Sequence, residues 1–99
     1  MVTNQKRYLW CERTEAEYMA IKARIEKQRV EMLRLENHAK LDWPARNRDL
    51  EDWVERSRQF IDRHAAGIDE KWESVCDCAQ QGWDRLKSEV HVMLGESKP

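Results

Sequence analysis

The chain has little of what sheets, disulfide scaffolds and membrane spans are built from. Its 99 residues include three Gly, two Pro, three Cys and one Phe. So few turn-formers leave scant means of reversing direction as often as a β-fold must. An odd and sparse set of cysteines does not read as a disulfide framework. No continuous apolar stretch of the signal-peptide kind stands near the N-terminus, so a cytoplasmic location with free thiols is expected. No apolar run approaches the roughly 18 residues of a membrane span. Neither charge sign dominates: 18 Lys and Arg face 19 Asp and Glu, for a net charge of −1. That balance argues against a nucleic-acid partner held by phosphate neutralisation. Leu, Ile, Val and Phe together number only 18. With a large net charge such a fraction would suggest disorder; here the charges nearly cancel, and a folded domain is expected.

What the sequence does have is helical periodicity. From about Asn4 to Leu41 one stripe collects Cys11, Thr14, Tyr18, Ile21, Ile25, Gln28, Met32, Leu35 and Ala39, with Trp10 beside it. These positions follow heptad spacing, and the residues between them are mostly Glu, Lys, Arg and Gln, which favour helix. Pro44 cannot sit inside a helix but suits a first turn, with Asp42 or Trp43 as the cap. A turn over residues 42–44 is therefore expected. A second helix is expected from about Ala45 to Leu94, with Leu50, Val54, Ser57, Ile61, Ala65, Ile68, Trp72, Val75, Cys76, Ala79, Trp83, Leu86, Val90, Met93 and Leu94 on its stripe. Towards its end the repeat is eleven residues long: Trp72, Trp83 and Leu94, then Val75 with Leu86 and Ala79 with Val90. The expected fold is all-α, a single domain over 1–99 folded as a long antiparallel hairpin of two coiled-coil-like helices. The alternative is a three-helix bundle broken near Gly67, a residue able to end a helix.

Folding the hairpin about Trp43 sets opposite each other residues whose numbers sum to roughly 86. Ile25 then meets Ile61, Tyr18 meets Ile68, Met32 meets Val54, and Gln28 meets Ser57 in a polar layer. Cys11 comes beside Val75 and Cys76. The second helix overhangs the first, leaving Leu86, Val90, Met93 and Leu94 with no partner in the hairpin. Trp53 and Phe60 flank its main stripe, and Met19, Ala23, Val30, Leu33 and Leu41 form a second stripe on the first helix. Apolar surface of that extent predicts a homodimer, a four-helix assembly, with Trp53, Phe60, Leu86, Val90, Met93 and Leu94 at the interface.

Two elements of the C-terminal half, Trp72-Glu73-Ser74-Val75-Cys76 and Trp83-Asp84-Arg85-Leu86-Lys87, resemble the repeated Trp-x-x-Leu-Lys element of short bacterial coiled-coil proteins of unassigned function. The resemblance covers about 25 residues, and the first copy departs from it at Val75 and Cys76. It implies a helical hairpin and no active site.

Few residues suggest chemistry. Cys11 and Cys76, with Cys78 nearby, could form a redox switch or a soft-metal site; free Cys more commonly acts as a small buried hydrophobe. Cys76 and Cys78 point about 200° apart on a helix and cannot easily share one metal. His38, His64 and His91 do not converge in the hairpin register, as zinc would require. A two-helix seam offers no dry pocket to separate carboxylate pKa values, and no Gly-rich phosphate loop is present. The expected function is a non-catalytic helical interaction or structural module that self-associates, without a cofactor, and able to bind another protein. A metal- or redox-responsive bundle and a small inhibitor or adaptor of a larger enzyme are the competing expectations.

Overall fold

The computed structural model describes residues 2–34, 43–66 and 71–95, with side chains from Lys6 onward. Three helices, α1 (Val2–Met32), α2 (Trp43–Ala65) and α3 (Trp72–Met93), account for nearly all of them, and no strand occurs among the described residues. The protein is all-α, as its periodicity predicts. It is a three-helix arrangement, however, and not the two-helix hairpin. The second predicted helix is interrupted between Ala65 and Trp72, where the alternative reading put its break.

The interruption reverses the chain once more, so α3 returns along both earlier helices. Tyr18 stacks on Trp53 with ring centroids 6.3 Å apart, Glu15 pairs with Arg58, and the Arg29 Nε–H donates to Asn47 Oδ1 at 2.9 Å. Opposite residues of α1 and α2 therefore sum to about 71–76, not 86. The pairings of Ile25 with Ile61 and Met32 with Val54 do not form in that register, and Ile68, expected opposite Tyr18, lies outside the described residues. The shift has a simple cause: α1 stops at Met32 rather than Leu41. Residues 35–42, including Leu35, Ala39, Leu41 and the proposed cap Asp42, lie outside the described residues. Trp43 and Pro44 open α2, so Pro44 does occupy a first helical turn.

α1 and α3 run parallel. Trp10 bonds Gln80, Glu17 accepts from Trp83, and Gln28 donates to the Leu94 carbonyl, a constant offset of about 66–70 residues. That offset explains where α1 ends. Gln28 is already level with Leu94, and Arg29 is level with Asn47 near the start of α2. Beyond Met32 neither neighbour offers a face, and a helix draws most of its stability from such packing.

The core is a line of large side chains: Trp10, Tyr18, Ile21 and Ile25 from α1, Leu50, Trp53 and Ile61 from α2, and Trp72, Ala79, Trp83 and Val90 from α3, closed by Leu94. On α3 the eleven-residue repeat is the buried stripe: Trp72, Ala79, Trp83, Val90 and Leu94 are spaced seven, four, seven and four. Fully burying one such side chain contributes about 1.5–3 kcal/mol, and Trp53, Trp83 and Val90 are all 0 % exposed.

Among the described residues, no neighbouring side chain caps either end of the break. The Arg7 guanidinium, on α1, donates to the carbonyls of His64 and Ala65 at the C-terminus of α2. It satisfies orphan carbonyls and places a cation at the negative end of the helix dipole. At the start of α3, Lys71 occupies the N-cap position with no side-chain cap, and the Ser74 hydroxyl donates to the Lys71 carbonyl at 2.8 Å. α3 closes on Gly95, whose φ of +76° is the left-handed conformation a helix-ending glycine supplies.

Candidate interaction surface

The third helix changes the position of every residue expected at an interface. Trp53, expected on a flank, is in the core: its indole N–H donates to the Leu86 carbonyl at 2.7 Å, and its ring lies 6.2 Å from Trp83. Val90 and Leu94, expected to overhang, are buried against α1 and α2. Phe60, Leu86 and Met93 are half-buried and pack onto the same core. The overhang existed only because the second helix was read as one rod. Once it folds back, those side chains have partners within the chain, and the argument for a four-helix dimer from the overhang falls away.

The polar layer also lies elsewhere. Gln28 caps the end of α3 through the Leu94 carbonyl at 2.8 Å, while Ser57 is buried level with Thr14. Neither the Thr14 nor the Ser57 hydroxyl has a hydrogen-bond partner among the described residues.

Ionic contacts stitch the helices together from outside. Arg58 grips Glu15 with both terminal nitrogens, at 2.7 and 2.6 Å, and its guanidinium lies 4.9 Å from the centre of the Tyr18 ring. The hydrogen bonds from Arg58 hold the Glu15 carboxyl below its usual range, and the same bonds raise the affinity of Arg58 for its proton. Burial pushes the Tyr18 phenol upward. Arg56 bridges α2 to Glu89 of α3 and is likewise held more firmly protonated by that bond. Glu17 accepts from the Trp83 indole at 2.7 Å and from Lys87 at 3.4 Å. The largest cause of each of these shifts is a contact that joins one helix to another or burial in the resulting seam.

No disulfide joins the three cysteines. Cys11 is half-buried on the row of α1 that carries Arg7 and Tyr18, the row facing α2. Cys76 is half-buried on the other side, in an open groove of about 360 Å³ lined by Leu9, Trp10, Arg13 and Trp72. Its thiol donates to the Glu73 carbonyl at 3.5 Å, and Cys78 is exposed. His64 is wedged between Phe60 and Trp10, with centroids 4.4 and 5.7 Å away, and His38 lies outside the described residues. Among the described residues, no group of three or more His, Cys, Asp and Glu could hold a metal ion, and no helix is long and apolar enough to cross a membrane.

One expected stripe stays in view. α1 presents its core row inward and a second apolar row outward. Met19 is 53 % exposed, Val30 49 % and Leu33 74 %, with Ala23 exposed between them; Leu9, at 57 %, and Ala16, which the expected stripe did not include, are exposed as well. Leu41, which completed the expected stripe, lies outside the described residues. No known family, curated protein or solved structure matches the chain.

Proposed function

We propose that this protein is a non-catalytic helical interaction module that docks helical partners onto the outer face of α1. The observation that carries the reading is that exposed row. Its apolar residues recur at the spacing a facing helix can interdigitate with, and Met19, Val30 and Leu33 are about half exposed or more. The fold supports it in a second way. Four of the five tryptophans, Trp10, Trp53, Trp72 and Trp83, are committed to the core, so the three-helix unit acts as a rigid platform beneath the surface it presents.

The test compares two baits in extract from the native host: the wild-type chain and Met19→Glu/Val30→Glu. Circular dichroism first establishes that the variant keeps its helices, since both positions are exposed. The expected result is a stoichiometric helical partner, another chain or this one, that the wild type holds and the variant releases. Equal recovery on both baits overturns the reading.

A further inference from the structure

We infer that α3 exchanges between two copies of the chain, and that Arg7 is the latch that holds it on its own α1 and α2. The inference is independent of the outer face of α1. In the sequence the apolar stripe crosses the break between α2 and α3 without losing phase: Ile61, Ala65, Ile68 and Trp72 are spaced four, three and four, the pattern of one helix face. Between Ala65 and Trp72 stand one glycine, Gly67, and no proline. No side chain caps the start of α3 at Lys71. The end of α2 is held from 57 residues away instead: Arg7 Nη1 donates to the His64 carbonyl at 3.5 Å and to the carbonyl of Ala65. In a helix running on from α2, those two carbonyls would accept from the backbone N–H groups four residues ahead. Arg7 and a continuous rod therefore compete for the same acceptors.

The register permits the exchange. Trp53 lies on Leu86, Arg56 on Glu89 and Phe60 on Gly82, so α2 and α3 are antiparallel about a level near residue 71. Two copies opened into rods would lie antiparallel about a two-fold axis at that level. α3 of each would then fall on α1 and α2 of the other, with every one of these contacts remade between copies. α1 does not obstruct the arrangement. It begins at Val2, its Lys6 Nζ lies 4.0 Å from Glu73, and its Arg7 reaches Ala65, so its N-terminal end stands level with the break. In the pair the two α1 helices point towards each other from opposite halves and do not overlap. The α1–α2 hairpin keeps its own contacts throughout, Tyr18 on Trp53 and Arg58 on Glu15. Exchange thus loses the Arg7 bonds, gains an unbroken helix and leaves the core as it is, so concentration and Arg7 decide which form prevails.

The distance between α2 and α3 of one chain separates the two forms. In a chain carrying Cys11→Ser, Cys76→Ser and Cys78→Ser, spin labels are placed at Arg48→Cys and Val92→Cys, two exposed positions level with each other on α2 and α3. Labelled protein is refolded with an excess of unlabelled protein, so that only distances within one chain are read. In the closed chain the labels sit on neighbouring helices, about 25 Å apart for helices about 10–12 Å across. In a rod they are separated by about 66 Å at the rise of about 1.5 Å per residue. After refolding at high micromolar concentration, a dimer separable by sedimentation is expected to show the long distance and the monomer the short one. Arg7→Ala and Gly67→Ala should each raise the dimer fraction several-fold, and Gly67→Ala carries the test alone if Arg7→Ala loses helix by circular dichroism. Met19→Glu/Val30→Glu should exchange as the wild type does. A dimer that keeps the short distance, a dimer abolished by Met19→Glu/Val30→Glu, or no dimer from any of these proteins overturns the exchange. The host-extract experiment is untouched by each of these results, so this inference and the interaction-module reading fall separately.

Discussion

Phe60 lies against the bare backbone of Gly82. A Cβ placed on that glycine would come 2.8 Å from two atoms of the ring, closer than side chains tolerate, so the α2–α3 contact depends on an absent methyl group. Mid-helix glycine otherwise costs about 1 kcal/mol relative to alanine. Two effects therefore oppose each other in Gly82→Ala: better helix propensity and displacement of Phe60. In a Phe60→Ala background Gly82→Ala is expected to stabilise the protein by about 1 kcal/mol, and in the wild type to gain far less or to destabilise. Chemical denaturation of the four proteins of this double-mutant cycle measures the difference. Equal effects in both backgrounds would show that the close approach costs nothing.

Thr14 and Ser57 place two hydroxyls in the core without hydrogen-bond partners among the described residues. Leaving such a group dry costs about 1–3 kcal/mol, and an apolar replacement of similar shape removes the cost. Thr14→Val should raise the thermal midpoint, with a gain of about 1 kcal/mol. Ser57→Ala should gain less, because it also leaves a small void. A lowered midpoint in Thr14→Val would count against the packing described here.

Acid should loosen the α1–α2 seam. The Glu15 carboxyl is held below its ordinary value of 4.5 by hydrogen bonds from Arg58, so the folded state binds its proton less readily than the unfolded chain does. The stabilisation is present above about pH 4.5 and is lost as pH falls through the folded-state value. Both side chains are more than a third exposed, at 40 % for Glu15 and 35 % for Arg58, which limits the pair to about 1 kcal/mol. Thermal midpoints measured from pH 7 to pH 3 should fall more steeply for the wild type than for Glu15→Gln. Parallel curves would remove the pair from the account.

The parts of this fold that are legible in the sequence are those carried by period alone. Tyr18, Ile21 and Ile25 show the inner row of α1, and Trp72, Ala79, Trp83, Val90 and Leu94 show that of α3 by their spacing. The outer row of Met19, Ala23, Val30 and Leu33 is visible in the same way. The break between α2 and α3 is legible only as the alternative that Gly67 offers, because the contact that satisfies the end of α2 is distant. A good N-cap after Gly67 is what a sequence reader looks for, and Lys71 is not one. The end of α2 is satisfied instead by Arg7, 57 residues away from His64. Trp53 was misplaced for a related reason. A residue off the main stripe looks like a flank when one neighbour is assumed and like core when there are two. A stripe on α2 wide enough to include both Leu50 and Trp53 would have been the available signal for a third helix.

The concentration of tryptophan in the interior gives the protein a built-in reporter. Four of the five tryptophans, Trp10, Trp53, Trp72 and Trp83, are shielded by the packed helices, Trp43 is half-buried at the start of α2, and the outward row of α1 carries no indole. Emission from these rings should respond sharply when the helices come apart and hardly at all when something settles on α1. Loss of structure and loss of association are thus separable by eye in one cuvette, without attaching any dye.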